Sequence, residues 1–252
     1  MTVTANSQLL AGRVILITGA ASGIGAAVAQ CCAAQGATAV LLDKNLPALE
    51  KVYDSIVEQG HATPAIYPLD LKGASQDDYL NLAKSIEQNF SRLDGLIHCA
   101  ASVGQLAPTP LQNSTLWAEI LHINLSAPIM LTRSCLALLE RTGNSVIIFT
   151  SDAMQAKAYW GAYGIAKAGI DCFAKQLADE QAASAQIKVC SFDPGRVNTQ
   201  FLKRAYPALD PSDLPKAEAI APDYLEIIHA SHAAVHGKQL RHRVKHSLFA
   251  TE

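Results

Sequence analysis

Apolar and polar positions along this chain fall into a two-beat pattern, a short continuous apolar run followed by a longer stretch of helical spacing. The first run, Arg13 to Thr18 (RVILIT), shows no polar alternation, which predicts a strand covered on both faces. A helix of mostly small residues follows from Gly25 to Gln35, with Gly36 as its stop signal. The beat then repeats. Strands are predicted at Ala37–Leu42, His61–Pro68, Gly95–His98, Ser145–Thr150 and Ile187–Phe192. Helices are predicted at Asn45–Gln59, Asp77–Phe90, Asn113–Glu140 and Gly161–Ala183. Strands alternating with helices predict an α/β domain, a doubly wound parallel sheet with helices on both faces, as one unit over residues 1–252. Residues 1–10 read as a loose N-terminal arm. From Arg196 to Pro222 the period fades and Pro and Asp accumulate, as in the substrate loops and lids that follow strand ends in such folds.

Composition narrows the classes. With 252 residues, half of them hydrophobic, the chain can bury a sizeable core. A net charge of −2 gives no reason to expect a nucleic-acid or membrane partner, and the basic stretch Lys238–Lys245 reads as a solvated edge. Six cysteines without a C-x-x-C pair read as buried apolar residues of a reduced compartment. The start MTVTANSQLL is unlike a signal peptide, and no segment reads as apolar enough to span a bilayer, so a cytoplasmic location is expected. His229, His232 and His236 share a helical face, yet no carboxylate or cysteine joins them at ligand spacing, so no metal site is expected.

Two stretches carry candidate chemistry. The first strand runs into Thr18-Gly19-Ala-Ala-Ser22-Gly23-Ile24-Gly25, and the second ends at Asp43. Strand, glycine-rich turn, helix, strand and acid form a βαβ unit for a dinucleotide, in a Rossmann arrangement. The glycines let backbone approach the pyrophosphate at a helix N-terminus. The second stretch is TSDAMQAKAYWGAYGIAK, in which Tyr163 and Lys167 lie four residues apart on one helical face. An ammonium beside a phenol is expected to lower its pKa and prepare it to pass a proton. Ser151, at the end of the strand before, could polarise a carbonyl.

With these residues laid out, the chain resembles the short-chain dehydrogenase/reductase family, and within it the bacterial YciK-like oxidoreductases, through LDGLIHCAA, VIIFTS and YWGAYGIAK. The resemblance implies that Asn124, Ser151, Tyr163 and Lys167 form a catalytic tetrad, Asn124 positioning a water behind Lys167. It implies that Asp70 and Leu71 contact the adenine. It also implies that Pro194, Gly195, Val197 and Thr199 hold the nicotinamide amide, with Tyr163 and Lys167 at its ribose. Cys99, Ala100 and Ala101 stand where the family usually reads N-A-G, and Asp152 stands where a glycine usually follows the serine. The interval from Ser151 to Tyr163 is slightly short for the family, and the tail GKQLRHRVKH is too charged for its usual last buried strand. The expected reaction is hydride transfer between a nicotinamide and a small carbonyl or secondary alcohol. Asp43 favours NAD(H), since its carboxylate accepts from the ribose hydroxyls and repels a 2′-phosphate, with NADP(H) possible through Lys44. Two alternatives are a retired nucleotide-binding sensor and a 3-oxoacyl-carrier-protein-type reductase using Lys203 and Arg204. The surplus apolar residues of the Tyr163 helix, with the family's habit, imply a homodimer or homotetramer.

Overall fold

The computed structural model describes residues 8–152 and 156–242. Seven parallel strands stand in the order β3-β2-β1-β4-β5-β6-β7. They are β1 (Val14–Thr18), β2 (Thr38–Asp43), β3 (Ala65–Pro68), β4 (Gly95–His98), β5 (Ser145–Thr150), β6 (Ile187–Asp193) and β7 (Gln239–Arg241). The order reverses between β1 and β4, which pair Ile15 with Gly95 through Thr18 with His98. Parallel sheets of this kind open a crevice at the strands' C-terminal ends where the order reverses.

Each continuous apolar strand feeds both layers. Ile15 and Ile17 face a core shared with α1 (Gly23–Ala34), α2 (Leu46–Glu58) and α8 (Ala217–His229). Val14 and Leu16 face the opposite core, shared with α3 (Gln76–Phe90), α5 (Ala127–Thr142) and α6 (Gly161–Gln181). Every such Leu or Ile removed from water contributes about 1.5–3 kcal/mol. Local signals set the helix ends. Asn45 caps α2 by accepting from Ala48 N–H, and Ser75 and Asp78 form a reciprocal capping box on α3.

The helical region around Asn124 is one run with a flaw. Between α4 (Ser114–Leu121) and α5 the turn His122–Ser126 is a π-helix. Such bulges frequently mark functional sites. The run Ser114–Thr142 is long and apolar enough to cross a bilayer, contrary to the reading from sequence. Here it lies along the sheet, with Leu131, Cys135, Leu138 and Leu139 turned into the core.

Other expectations need correction. Leu10, placed in the loose arm, is buried and its N–H bonds to Gln35 O, so the described end of the arm is fastened. Residues 1–7 lie outside the described residues. The segment 196–222 is not wholly irregular: it holds α7 (Gln200–Ala205), capped by Thr199, and the first turns of α8, which run through Pro222. Asn198 bridges to Lys216 and closes the intervening loop on itself. The charged tail does supply a last strand. β7 pairs Leu240 with Phe192 while Gln239 and Arg241 stay exposed, so one buried leucine suffices at an edge. His232 and His236 stack, centroids 4.0 Å apart. His236 is committed to packing, its ring bonded to Val189 N–H and Ala178 O.

Candidate active site

A cleft of about 360 Å³ opens over the β1–β4 crevice. Gly19, Ser22, Gly23, Ile24, Gly25, Asp43, Asp70, Leu71, Cys99, Ala100, Ala101, Ser151, Tyr163, Lys167, Pro194, Gly195, Val197 and Thr199 all line it, as expected of one ligand site. Thr18 is buried beneath, its hydroxyl accepting from Ala100 N–H at 3.1 Å and tying the end of β1 to the loop after β4.

The glycine turn fits a dinucleotide. A Cβ on Gly25 would sit 2.3 Å from Gly19 O, so only glycine lets α1 begin against the turn. The N-terminus of α1 thus faces the cleft with no acid in its first turn, the arrangement that attracts a pyrophosphate. At the end of β2, Asp43 accepts from Asn45 N–H with one oxygen, and Asn45 rather than Asp43 caps α2. After β3, Asp70 accepts from Lys72 N–H.

In the loop after β4, Cys99 replaces a brace with a different one. Its sulfur lies 3.5 Å from Thr150 Oγ1, which meets Tyr224 OH at 2.9 Å, so a thiol–hydroxyl–phenol chain joins β4, β5 and α8. Burial pushes the Cys99 thiol up to about 11, which keeps it protonated. Asn124 is buried in the π turn and its side chain is spent on backbone. It accepts from Ser102 N–H and donates to Ser102 O and Ile120 O. The π turn therefore fastens the loop after β4, and Asn124 Nδ2 is engaged by the backbone carbonyls of Ser102 and Ile120.

The structure brings Tyr163 and Lys167 together but pairs them differently from the sequence expectation. Both are buried on the inner face of α6. Lys167 Nζ donates to Thr150 O at 2.6 Å and lies 5.7 Å from the Tyr163 ring centre. Tyr163 OH donates to Asp152 Oδ2 at 2.9 Å. The hydroxyl of Ser151 instead donates to Asp171 Oδ2 at 2.8 Å, and the same carboxylate takes Gln239 Nε2. Ser151 thus helps tie β5, α6 and β7, and Asp152 takes the place beside the phenol. The expected lowering of the Tyr163 pKa is reversed: burial foremost, then the charge and hydrogen bond of Asp152, then Asp193, hold the phenol well above its usual range. Burial lowers the Lys167 ammonium, against the pull of Asp152 and other neighbours.

Residues that sequence reasoning passed over complete the site. Trp160 and Phe201 each pack their rings 5.3 Å from that of Tyr163. Asp193 is buried and accepts from Gly195 N–H at 2.8 Å, shaping the turn after β6. The signal for Asp152 was its place directly after Ser151, where a glycine usually stands.

Residues 13–210 match the short chain dehydrogenase family. The chain belongs to that family. Among relatives of this short-chain dehydrogenase, the oxidoreductase YciK of Escherichia coli K12 is 35% identical over 220 residues, 86% of each chain. A short-chain dehydrogenase structure from Pseudomonas syringae superposes with a TM-score of 0.90 at 38% identity, over 94% of this chain and 97% of that one. A Shigella flexneri structure complexed with NADP gives a TM-score of 0.90 at 33% identity, over 94% and 99%. As a member, this short-chain dehydrogenase is an NAD(P)-dependent oxidoreductase.

Proposed function

We propose that Tyr163 is the proton donor and acceptor of a hydride-transfer reaction on a small-molecule substrate, with Lys167 and Asp152 setting its charge. One observation carries this reading: a buried tyrosine and lysine share one face of α6 at the cleft where the glycine turn, Asp43 and the β6 turn converge. The nicotinamide, when bound, supplies or takes the hydride. Gly19, Gly23 and Gly25 leave backbone open to its pyrophosphate, and Pro194 to Val197 border its other end. Tyr163 passes the proton at the substrate heteroatom, and Lys167 holds positive charge beneath it. Trp160, Phe201 and Tyr206 wall the substrate side, and residues 196–222 are its loop. Tyr163→Phe should keep cofactor affinity while turnover falls by about 10²-fold. Near-normal turnover would refute the assignment.

Asp43 supports a preference for NAD(H), since its second oxygen can accept from a ribose hydroxyl. The NADP held by the Shigella relative makes the phosphorylated cofactor the competing reading, with Lys44, also in the cleft lining, as its partner. Asp43→Ala should narrow the gap between the two affinities; equal wild-type affinities would remove the preference. Six free thiols support a reducing, cytoplasmic setting. Exposed Ile165, Ala168 and Cys172 on the outer face of α6 support self-association, and a monomer mass by light scattering would refute it.

A further inference from the structure

We propose that Asp152 makes this site a reductase of carbon–nitrogen double bonds, taking cyclic imines in their protonated form in preference to ketones. The inference rests on the reading of Tyr163 as proton donor and specifies the substrate of that site.

Donor and acceptor inventory is the first argument. A ketone oxygen can only accept hydrogen bonds, and an ionised carboxylate likewise has no proton to give. Tyr163 has one proton, and it is donated to Asp152 Oδ2 at 2.9 Å. A ketone oxygen arriving beside this pair meets acceptors on both residues. A protonated imine brings its own N–H, which can donate to the carboxylate or to the phenol oxygen, so every group has a complement.

Charge is the second argument. Hydride addition to a ketone builds negative charge on oxygen, next to Asp152, and like charges at such a separation cost a site dearly. A protonated imine carries positive charge in the same place, and its carbon is a better hydride acceptor than that of the neutral imine. The wider surroundings have the same sign. Asp152 adjoins β5, Asp193 closes β6 and Asp171 lies on α6, and all three act on Lys167. His98 of β4 is buried and held neutral, and Cys99 keeps its proton. Arg241 lies 3.8 Å from Asp193 on the exposed edge, and Arg196 rests on the outer Tyr206 ring, so neither enters the pair. The inner end of the cleft is therefore acidic.

The step balances as imine, reduced nicotinamide and one proton giving amine and oxidised nicotinamide. A neutral imine gains its one proton from the Tyr163–Asp152 pair on binding, which gives the protonated form in the site, and water then reprotonates the pair. The imine carbon accepts the hydride with its electron pair. The carbon–nitrogen π pair becomes the nitrogen lone pair, and no bond of the substrate skeleton breaks.

The test pairs 2-methyl-1-pyrroline with cyclopentanone, each with NADH and with NADPH, for wild type, Asp152→Ser, Asp152→Asn and Tyr163→Phe. Wild type should favour the imine in kcat/KM by at least about tenfold, and Asp152→Ser should shift that ratio towards the ketone by a similar factor. Asp152→Asn, which keeps the size and removes the charge, should shift it the same way and serves if the serine variant fails to fold. A second readout needs no substrate: phenolate absorbance titrated in the free protein, with Tyr163→Phe as the blank. Both Asp152 variants should move the Tyr163 transition to lower pH. A wild-type preference for the ketone, an unchanged ratio in both variants, or an unmoved tyrosine transition overturns the proposal. Wild type inactive on the imine although cofactor binds overturns the imine assignment alone, whereas the reading of Tyr163 as proton donor falls only if Tyr163→Phe keeps near-normal turnover on a compound the wild type reduces.

Discussion

Gly19→Ala carries two penalties that the structure lets one separate. Gly19 holds φ +70°, a region where a Cβ costs roughly 1–2 kcal/mol. A Cβ there would also lie 2.8 Å from both Cα and N of Ala100 and 3.1 Å from Cys99 C. Carbon atoms rest comfortably at about 3.5–4.0 Å, so relief of ~0.7 Å is needed. The atoms met are backbone of the loop after β4, already tied to Thr18, and cannot swing aside as a side chain would. Overpacking of this kind costs about 1–3 kcal/mol, for a total of roughly 2–5 kcal/mol. Gly12→Ala is the control: φ is +71°, and nothing lies within 4 Å of the added Cβ. It should lose the backbone term alone. Urea denaturation of both variants gives the difference, expected at ~1–3 kcal/mol with unchanged m-values. Cofactor titration should show weaker binding in Gly19→Ala only, because the strained turn lines the cleft and Gly12 does not. Equal stability losses in the two variants would refute the close approach of the turn to Ala100.

Further outcomes follow from buried polar groups. His98 is stacked on Phe149, meets Thr132 Oγ1 at 2.9 Å, and is pushed down to about 3 by burial and the charge of Lys167. The unfolded chain therefore takes up this proton first. Stability is fully present above about pH 6.5 and falls by about 1.4 kcal/mol per unit between 6.5 and 3; His98→Gln should flatten that slope in a pH series of denaturation curves. Asp94 is buried, accepts Val14 N–H at 2.9 Å and takes both Nε and Nη2 of Arg92. Asp94→Ala should cost ~2–3 kcal/mol by urea denaturation, since an amide of β1 loses its partner, and Asp94→Asn should recover part of it.

The sheet was legible because a doubly covered strand must be apolar without interruption, and VILIT, AVLL and SVIIFT are. The glycine turn was legible for a similar reason, since few other contexts need three glycines before a helix of small residues. Tyr163 and Lys167 were placed on one buried face by their spacing alone. What sequence could not decide was which side chain at the end of β5 turns towards them. Ser151 and Asp152 are adjacent just past the end of β5, where the period-2 alternation of the strand no longer says which side chain turns towards the phenol. β7 was missed because a single buried leucine among charged residues leaves almost no periodic signal. The start of α8 was hidden by Pro222, which reads as a breaker although the surrounding residues Ile220, Ala221 and Tyr224 are buried.

The central claim is that a hydride crosses this cleft to the substrate beside Tyr163. It is tested most directly with reduced cofactor carrying deuterium at the transferable position of nicotinamide C4. The account predicts one deuterium on the substrate's reacting carbon, by mass spectrometry of the product of a single turnover. Product formed without deuterium at that carbon would contradict it.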